Sequence, residues 1–245
     1  KYPDFKKTRS HMEDQRSAAF VKNPRLRYPI ETAVDLAMNL GVGLPGGPPV
    51  TSGTFAGIFQ DYGIRVPKGT VNERLGVDAM RVFQALVNDD GSFHFTDCVY
   101  HVARTGIPDN VRYDYVFVDE FQDLNVTQFL LLDQLLSRGS RLVFVGDPAQ
   151  AIYGWRGAGT NSFHLGVSRY RAEVYPMTVT RRCPQAVVFE AARLVPEIRP
   201  LDTAPEGEIL HVDDEATLLD VLAEATSNAA EEGDCAIICR NNAPL

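Results

Sequence analysis

Two short apolar runs, YDYVFV at 113–118 and RLVFV at 141–145, each lead into an acid: Asp119 directly, and Asp147 after one glycine. The stretch between them, TQFLLLDQLLSRG at 127–139, has the pattern of an amphipathic helix, with Gly139 placed to close it. Apolar run, helix and apolar run at this spacing predict a βαβ unit with a parallel sheet. The unbroken Val and Phe character of the runs predicts strands covered on both faces. Ligands of open parallel sheets bind beyond the carboxyl ends of the strands, and the acids of DEFQD (Asp119, Glu120, Asp123) and of VGDPAQ (Asp147) fall there.

The chain before this unit reads as helices and loops. IETAVDLAMNLGV places Ile30, Val34, Ala37 and Met38 on one helical face; LPGGPP then interrupts the chain. GVDAMRVFQALVND is a second helical pattern, with Val77, Met80, Phe83, Ala85 and Leu86 apolar or small. FHFTDCVYHVART is a third, opening near Thr96 or Asp97. GTFAGIF at 53–59 reads as a helical connector. Beyond Tyr175, TVTRRCPQAVVFEAARLV predicts a strand end and a helix, APEGEILHVDD and DCAIICRNN predict strands, and EATLLDVLAEATSNAAEEG a helix between those two: the start of a further α/β domain.

Composition narrows the classes. The longest apolar run, FLLLDQLL, is interrupted by Asp133 and Gln134, well short of the roughly 20 residues a membrane helix needs, so no membrane partner is expected. Four scattered cysteines, two of them at Cys235 and Cys239, fit reduced structural thiols in a reducing compartment rather than a disulfide framework. A net charge of −8 argues against a binder driven by bulk charge, but leaves room for a nucleic-acid groove with its own local field.

An apolar strand running into Asp-Glu is the pattern of a Walker B element. One carboxylate holds Mg²⁺, largely through water, because that ion keeps much of its hydration. The other orients and deprotonates an attacking water. A nearby cation also explains why two adjacent acids are tolerated; a solvated loop after a strand is the plainer alternative. Further on, Gln150 carries both a donor and an acceptor, suited to sensing a terminal phosphate. Tyr153, the single tryptophan Trp155, and Arg156 offer two aromatic faces and a guanidinium in four positions, which suits unstacked bases and a phosphate backbone; the alternative is that the aromatics plug the end of the sheet. Arg181 and Arg182 follow a strand. They are either surface arginines or groups that stabilise charge on a transferring phosphoryl group.

The order strand-DEFQD, helix, strand-GDPAQAIYGWRGA, TRRCP resembles the superfamily 1 DNA helicases of the UvrD/Rep/PcrA type, well over roughly residues 93–200 and more weakly elsewhere. DEFQD resembles their motif II, GDPAQAIYGWRGA their motif III and TVTRRCP their motif IV. The resemblance implies an α/β fold: a RecA-like P-loop NTPase parallel sheet, a helical 1B-like subdomain over 1–92, the later half of a first RecA-like domain over 93–175, and the start of a second over 176–245. It implies an ATP-dependent helicase or translocase, moving 3′ to 5′ on single-stranded DNA and acting at duplex junctions in repair or replication, in the cytoplasm or nucleoid of a bacterial or phage-infected cell. ATP and Mg²⁺ would be its cofactors. Asp119 would coordinate Mg²⁺, Glu120 would be the catalytic base, Gln150 would contact the γ-phosphate, and Arg182 would reach that phosphate too. Tyr153 and Trp155 would stack on DNA bases beside Arg156, with Arg240 and Asn242 of CRNN also near the DNA.

Two departures shape the expectations. Arg181 stands where the family carries an adenine-stacking tyrosine, and a guanidinium plane can stack on a base as well. No G-x-x-x-x-G-K-[ST] phosphate loop occurs in the 245 residues. The resemblance then implies that such a loop precedes Lys1 and that this stretch alone hydrolyses ATP poorly. The competing expectations are a non-hydrolysing helicase-like module that binds DNA or protein, and an unrelated metal-dependent phosphoesterase built on Asp119, Glu120 and Asp147.

Overall fold

A computed structural model describes residues 20–88, 95–152 and 161–213, together with Thr217, Asp220, Val221 and Ala223. The chain is mixed α/β with small parallel sheets and divides into two units, Lys1–Val174 and Tyr175–Leu245.

The first unit opens with four helices: α1 (Pro24–Asn39), α2 (Ser52–Asp61), α3 (Asn72–Val87) and α4 (Phe95–Thr105). Asn23 caps α1 by accepting the Arg25 N–H, and Pro24 occupies the first turn, where a missing N–H costs nothing. Ile30, Val34, Ala37 and Met38 are all buried, as their spacing predicts. GTFAGIF lies within α2, capped by Thr51. In α3 the buried stripe is Leu75, Ala79, Val82, Phe83 and Leu86, while Val77, Met80 and Ala85 are only partly buried. The packing on α2 selects this face: Gly76 lies so close to that helix that a β-carbon there would sit 2.4 Å from the Ser52 carbonyl oxygen. Phe55, Phe83 and Tyr100 join edge to face at 5.3 and 5.6 Å, and the Tyr100 hydroxyl donates to the Val42 carbonyl. The fourth helix is described from Phe95 onward, and Thr96 and Asp97 lie in its first described turn.

Strand β1 (Tyr113–Val118) pairs in parallel with β2 (Leu136–Phe144) across helix α5 (Val126–Leu135), the expected βαβ order. The apolar character of α5 on several sides has a packing reason. Leu130 and Leu131 pack on the four-helix core, while Phe129 and Leu132 pack under the sheet. Thr127 Oγ1 donates to the Met38 carbonyl, and Asn125 bonds Asn39 at 2.9 Å, which docks α5 on α1.

Two expectations fail here. Gly139 does not close the helix; α5 ends at Leu135 and β2 begins at once. Leu136 pairs with Tyr113 and Arg141 with Tyr115, so the residues between them bulge, and Gly139 takes φ +95°, a conformation glycine adopts without a β-carbon clash. Nor, among the described residues, are both faces of the strands covered. Val116, Val118, Leu142 and Phe144 face the helices, whereas Tyr115, Phe117, Val143 and Val145 are exposed. Alternate residues point to opposite faces, and among the described residues α5 and α6 (Ser162–Tyr170) lie with one face only.

In the second unit, β3 (Val179–Thr180) pairs in parallel with β4 (Arg199–Pro200) across α7 (Gln185–Ala191). The strand expected in APEGEILHVDD is absent from its described residues, 204–213. The Pro205 and Glu206 carbonyls instead accept the Gln185 and Ala186 N–H groups, both at 2.9 Å, which satisfies the open start of α7 rather than a sheet ladder. Thr217, Asp220, Val221 and Ala223 are helical, as expected; DCAIICRNN lies outside the described residues. Cys98 and Cys183 are free thiols. Among the described residues, no helix is long and apolar enough to cross a membrane.

Candidate nucleotide site at the strand ends

The sheet positions the acids. Immediately after β1, Glu120 takes φ 49° and ψ 45°, a left-handed conformation uncommon for a residue with a side chain. The local chain holds it there from both sides. The Glu120 N–H donates to Asp119 Oδ1 at 3.0 Å, and its carbonyl accepts the Asp123 N–H at 3.0 Å. Phe121, fully buried, anchors the turn. Its ring stacks on Phe144 at 4.0 Å and meets Phe129 and Phe163 edge-on. The Phe121 N–H donates to the Val145 carbonyl, which extends the strand pairing into the loop. Helix α6 closes over the ring through Gly166, where a β-carbon would sit 2.0 Å from it, and Ser162 Oγ donates to the Leu124 carbonyl.

The loop after β2 is built around Asp147. Its Oδ1 accepts the Ala149 N–H at 2.9 Å and its Oδ2 accepts from Gln150 Nε2 at 2.8 Å, capping the single turn 148–150. The amide nitrogen of Gln150 is thus turned onto Asp147, while the residue itself is exposed. A residue that sequence reasoning passed over joins the two loops. The buried Gln122 side chain donates to Glu120 Oε2 at 2.7 Å and accepts the Asp147 N–H at 3.0 Å. The available signal was an uncharged amide inside an acidic cluster.

Asp123 completes the first loop. One of its carboxylate oxygens is buried without a hydrogen-bond partner among the described residues. Burial, and then the charge of Glu120, raise its pKa above the ordinary carboxylate value. The folded state therefore holds the Asp123 proton more tightly than the unfolded chain does, and stability falls as pH rises from about 4 through the raised value. Asp123→Asn should remove that loss. Its stability relative to the parent, read from urea unfolding midpoints, should increase from pH 4 to pH 7; a difference independent of pH would contradict the assignment.

Asp119 keeps Oδ2 free of hydrogen bonds among the described residues, since only Oδ1 accepts the Glu120 N–H. No group of three His, Cys, Asp or Glu suited to enclosing a metal occurs among the described residues. The donor set fits a hard cation held mainly by water and phosphate oxygens, with one or two carboxylates. It gives no support to the all-protein cage that the phosphoesterase alternative needs. Arg181 and Arg182 follow β3 in the second unit, both exposed, with the Arg182 N–H donating to Thr180 Oγ1. Tyr153, Trp155, Arg156, Arg240 and Asn242 lie outside the described residues.

Residues 109–168, which contain both loops, match the UvrD/REP helicase N-terminal domain. The chain carries a UvrD/Rep-type helicase segment. Similarity to named relatives agrees. A probable DNA helicase II homolog of Mycoplasma capricolum is 41% identical over 85 residues, covering 32% of this chain and 12% of the relative. A probable DNA helicase of Mycoplasma pneumoniae is 32% identical over 123 residues, 46% of this chain and 23% of the relative. The RecBCD subunit RecB of Mycobacterium tuberculosis is 39% identical over 77 residues, 31% of this chain and 7% of the relative. The chain thus spans less than a quarter of the length of each of these relatives. Asp119, Glu120, Gln122, Asp147 and Gln150 lie inside the UvrD/Rep match, and Arg181, Arg182, Arg240 and Asn242 outside it.

Proposed function

We propose that this chain is part of an ATP-driven DNA helicase that moves 3′ to 5′ along single-stranded DNA and opens duplex at junctions. The observation that carries the reading is the pairing, inside the UvrD/Rep match, of two acid-bearing loops at the carboxyl ends of adjacent parallel strands, tied by Gln122. The names of the relatives, DNA helicase II and DNA helicase, support a DNA substrate.

In this reading Asp119 would hold Mg²⁺ beside the phosphates of ATP, and Glu120 would accept a proton from the attacking water. When bound, the metal supplies charge neutralisation at the phosphates. Gln150, whose amide nitrogen bonds Asp147 in the structure, would turn that nitrogen to donate to the terminal phosphate from the second loop. Arg182 stabilises charge on the transferring group, and Arg181 offers its guanidinium plane to the adenine. Tyr153 and Trp155 would stack on bases of single-stranded DNA, with Arg156 beside them, and Arg240 and Asn242 are further candidates for contact with the DNA.

Trp155→Ala in the full-length protein tests the DNA half. Loss of a stacking platform costs about 1–3 kcal/mol per base, so single-strand affinity, measured by fluorescence anisotropy, should weaken roughly 5- to 150-fold. Unwinding of 3′-tailed duplex should fall in parallel, with 5′-tailed duplex a poor substrate throughout. Unchanged DNA affinity in Trp155→Ala would end the stacking role, and a preference for 5′ tails would end the assigned polarity.

A further inference from the structure

We propose that Gln122 is a positioning residue that sets the orientation of Glu120 and makes it depend on the loop beginning at Gly146. The inference rests on the reading of Glu120 as the base. The two ends of the Gln122 amide face different loops: Nε2 donates to Glu120 Oε2 at 2.7 Å, and Oε1 accepts the Asp147 N–H at 3.0 Å. A carboxylate on one side and a backbone N–H on the other require a donor and an acceptor in one side chain, and the Gln122 amide supplies both without carrying a charge. The contact is made in a confined space. Gln122 is 2% exposed, and a β-carbon at Gly146 would sit 2.5 Å from its Oε1.

The connection does not stop at Asp147. Asp147 accepts from the Ala149 N–H and from Gln150 Nε2. Hydrogen-bonded groups therefore run without a break from Glu120 through Gln122 and Asp147 to Gln150, which precedes Tyr153 by three positions and Trp155 by five in the sequence. A shift of the second loop moves Asp147 N, and with it the amide that holds Glu120 Oε2. Glu120 also has a left-handed backbone, so its carboxylate is placed by this contact and the Phe121 anchor together. Occupancy of the second loop by DNA thereby reaches the base through one side chain.

The test uses the full-length protein and measures kcat and KM for ATP with and without single-stranded DNA, together with Tm. Gln122→Glu keeps the length and the acceptor for Asp147 but replaces the donor facing Glu120 with a carboxylate. Its DNA-stimulated kcat should fall on the order of 10- to 100-fold, the scale of a displaced reacting group. KM should stay near the parent's, Tm should fall because a buried carboxylate then faces Glu120, and the ratio of stimulated to basal rate should shrink toward one. The deficit should narrow as pH falls, because a protonated carboxyl donates again. Gln122→Met, apolar and similar in length, should show the same loss without the pH dependence, and it provides a folded variant if the carboxylate pair disrupts the loop. A folded variant with parental kcat and stimulation overturns the proposal. So does a loss of kcat that merely follows loss of ATP binding and Tm in both variants. Glu120→Gln measured alongside separates the two ideas: near-parental turnover there removes the base assignment itself, whereas intact stimulation in the Gln122 variants removes only the link.

Discussion

Glu120→Gln in the full-length protein should leave ATP bound and stop its hydrolysis. The substitution keeps the shape of the side chain, and its amide oxygen still accepts the hydrogen bond from Gln122 Nε2. Lost is the ability to take a proton from water. A positioned general base contributes about 10²- to 10⁴-fold, so single-turnover hydrolysis should slow by that factor, roughly 3–5 kcal/mol in the barrier. Nucleotide affinity should hold, because removing one negative charge beside the phosphates does not weaken their binding. Single-turnover hydrolysis and a nucleotide-binding titration check the two halves separately. Turnover close to the parent's would dismiss Glu120 as the base, and loss of binding would mark it as a ligand instead.

The largest effect on stability should come from Phe121→Ala. The ring is fully buried, stacked on Phe144 and flanked by Phe129 and Phe163, and it lies against the backbone of Gly166. Truncating such a residue costs about 3–5 kcal/mol in lost transfer energy and cavity formation. The consequence reaches the site, since the same residue anchors the turn that carries Asp119 and Glu120. Gly166→Ala alone should also destabilise, because its methyl group would enter the ring. In the double variant that methyl has space, so the two costs should be strongly non-additive. Urea unfolding of the single and double variants measures this coupling. Additive losses would show that Phe121 and Gly166 do not share one packing site.

Asp133 illustrates a smaller link of the same kind. It accepts from Tyr170 Oη at 2.8 Å and pairs with Arg169, tying α5 to α6 beside the aromatic cluster. Burial and the hydrogen bond to Asp133 raise the Tyr170 pKa well above its usual value, so the hydroxyl stays a donor through the working pH range.

Much of the site was legible without coordinates because its elements are local. A strand that ends in Asp-Glu, a helix of fixed length and a second strand ending in Gly-Asp specify a parallel pair by pattern and spacing alone, and parallel strands bring their carboxyl ends to one edge. The helical stripe of α1 was legible for the same reason, since Ile30, Val34, Ala37 and Met38 repeat with the helix period. Gly139 misled because a glycine suits either a helix end or a bulge, and the choice lies in the pairing of Leu136 with Tyr113, a partner 23 positions earlier. The segment of α5 read as amphipathic, whereas the helix is apolar on two sides because it packs between the helical core and the sheet, two neighbours that the local pattern does not reveal.

Residue order alone thus determined the βαβ unit, the acids at its strand ends and the motif order that points to a UvrD/Rep-type segment. Tertiary structure decided which atoms meet: the amide of Gln122 between Glu120 and Asp147, the ring of Phe121 under Gly166, and the left-handed turn at Glu120. The physical reason is range. Periodicity and strand-end chemistry are set by neighbours a few positions apart, whereas a hydrogen bond between residues 25 positions apart and a ring packed against a glycine 45 positions away follow only from how the elements pack.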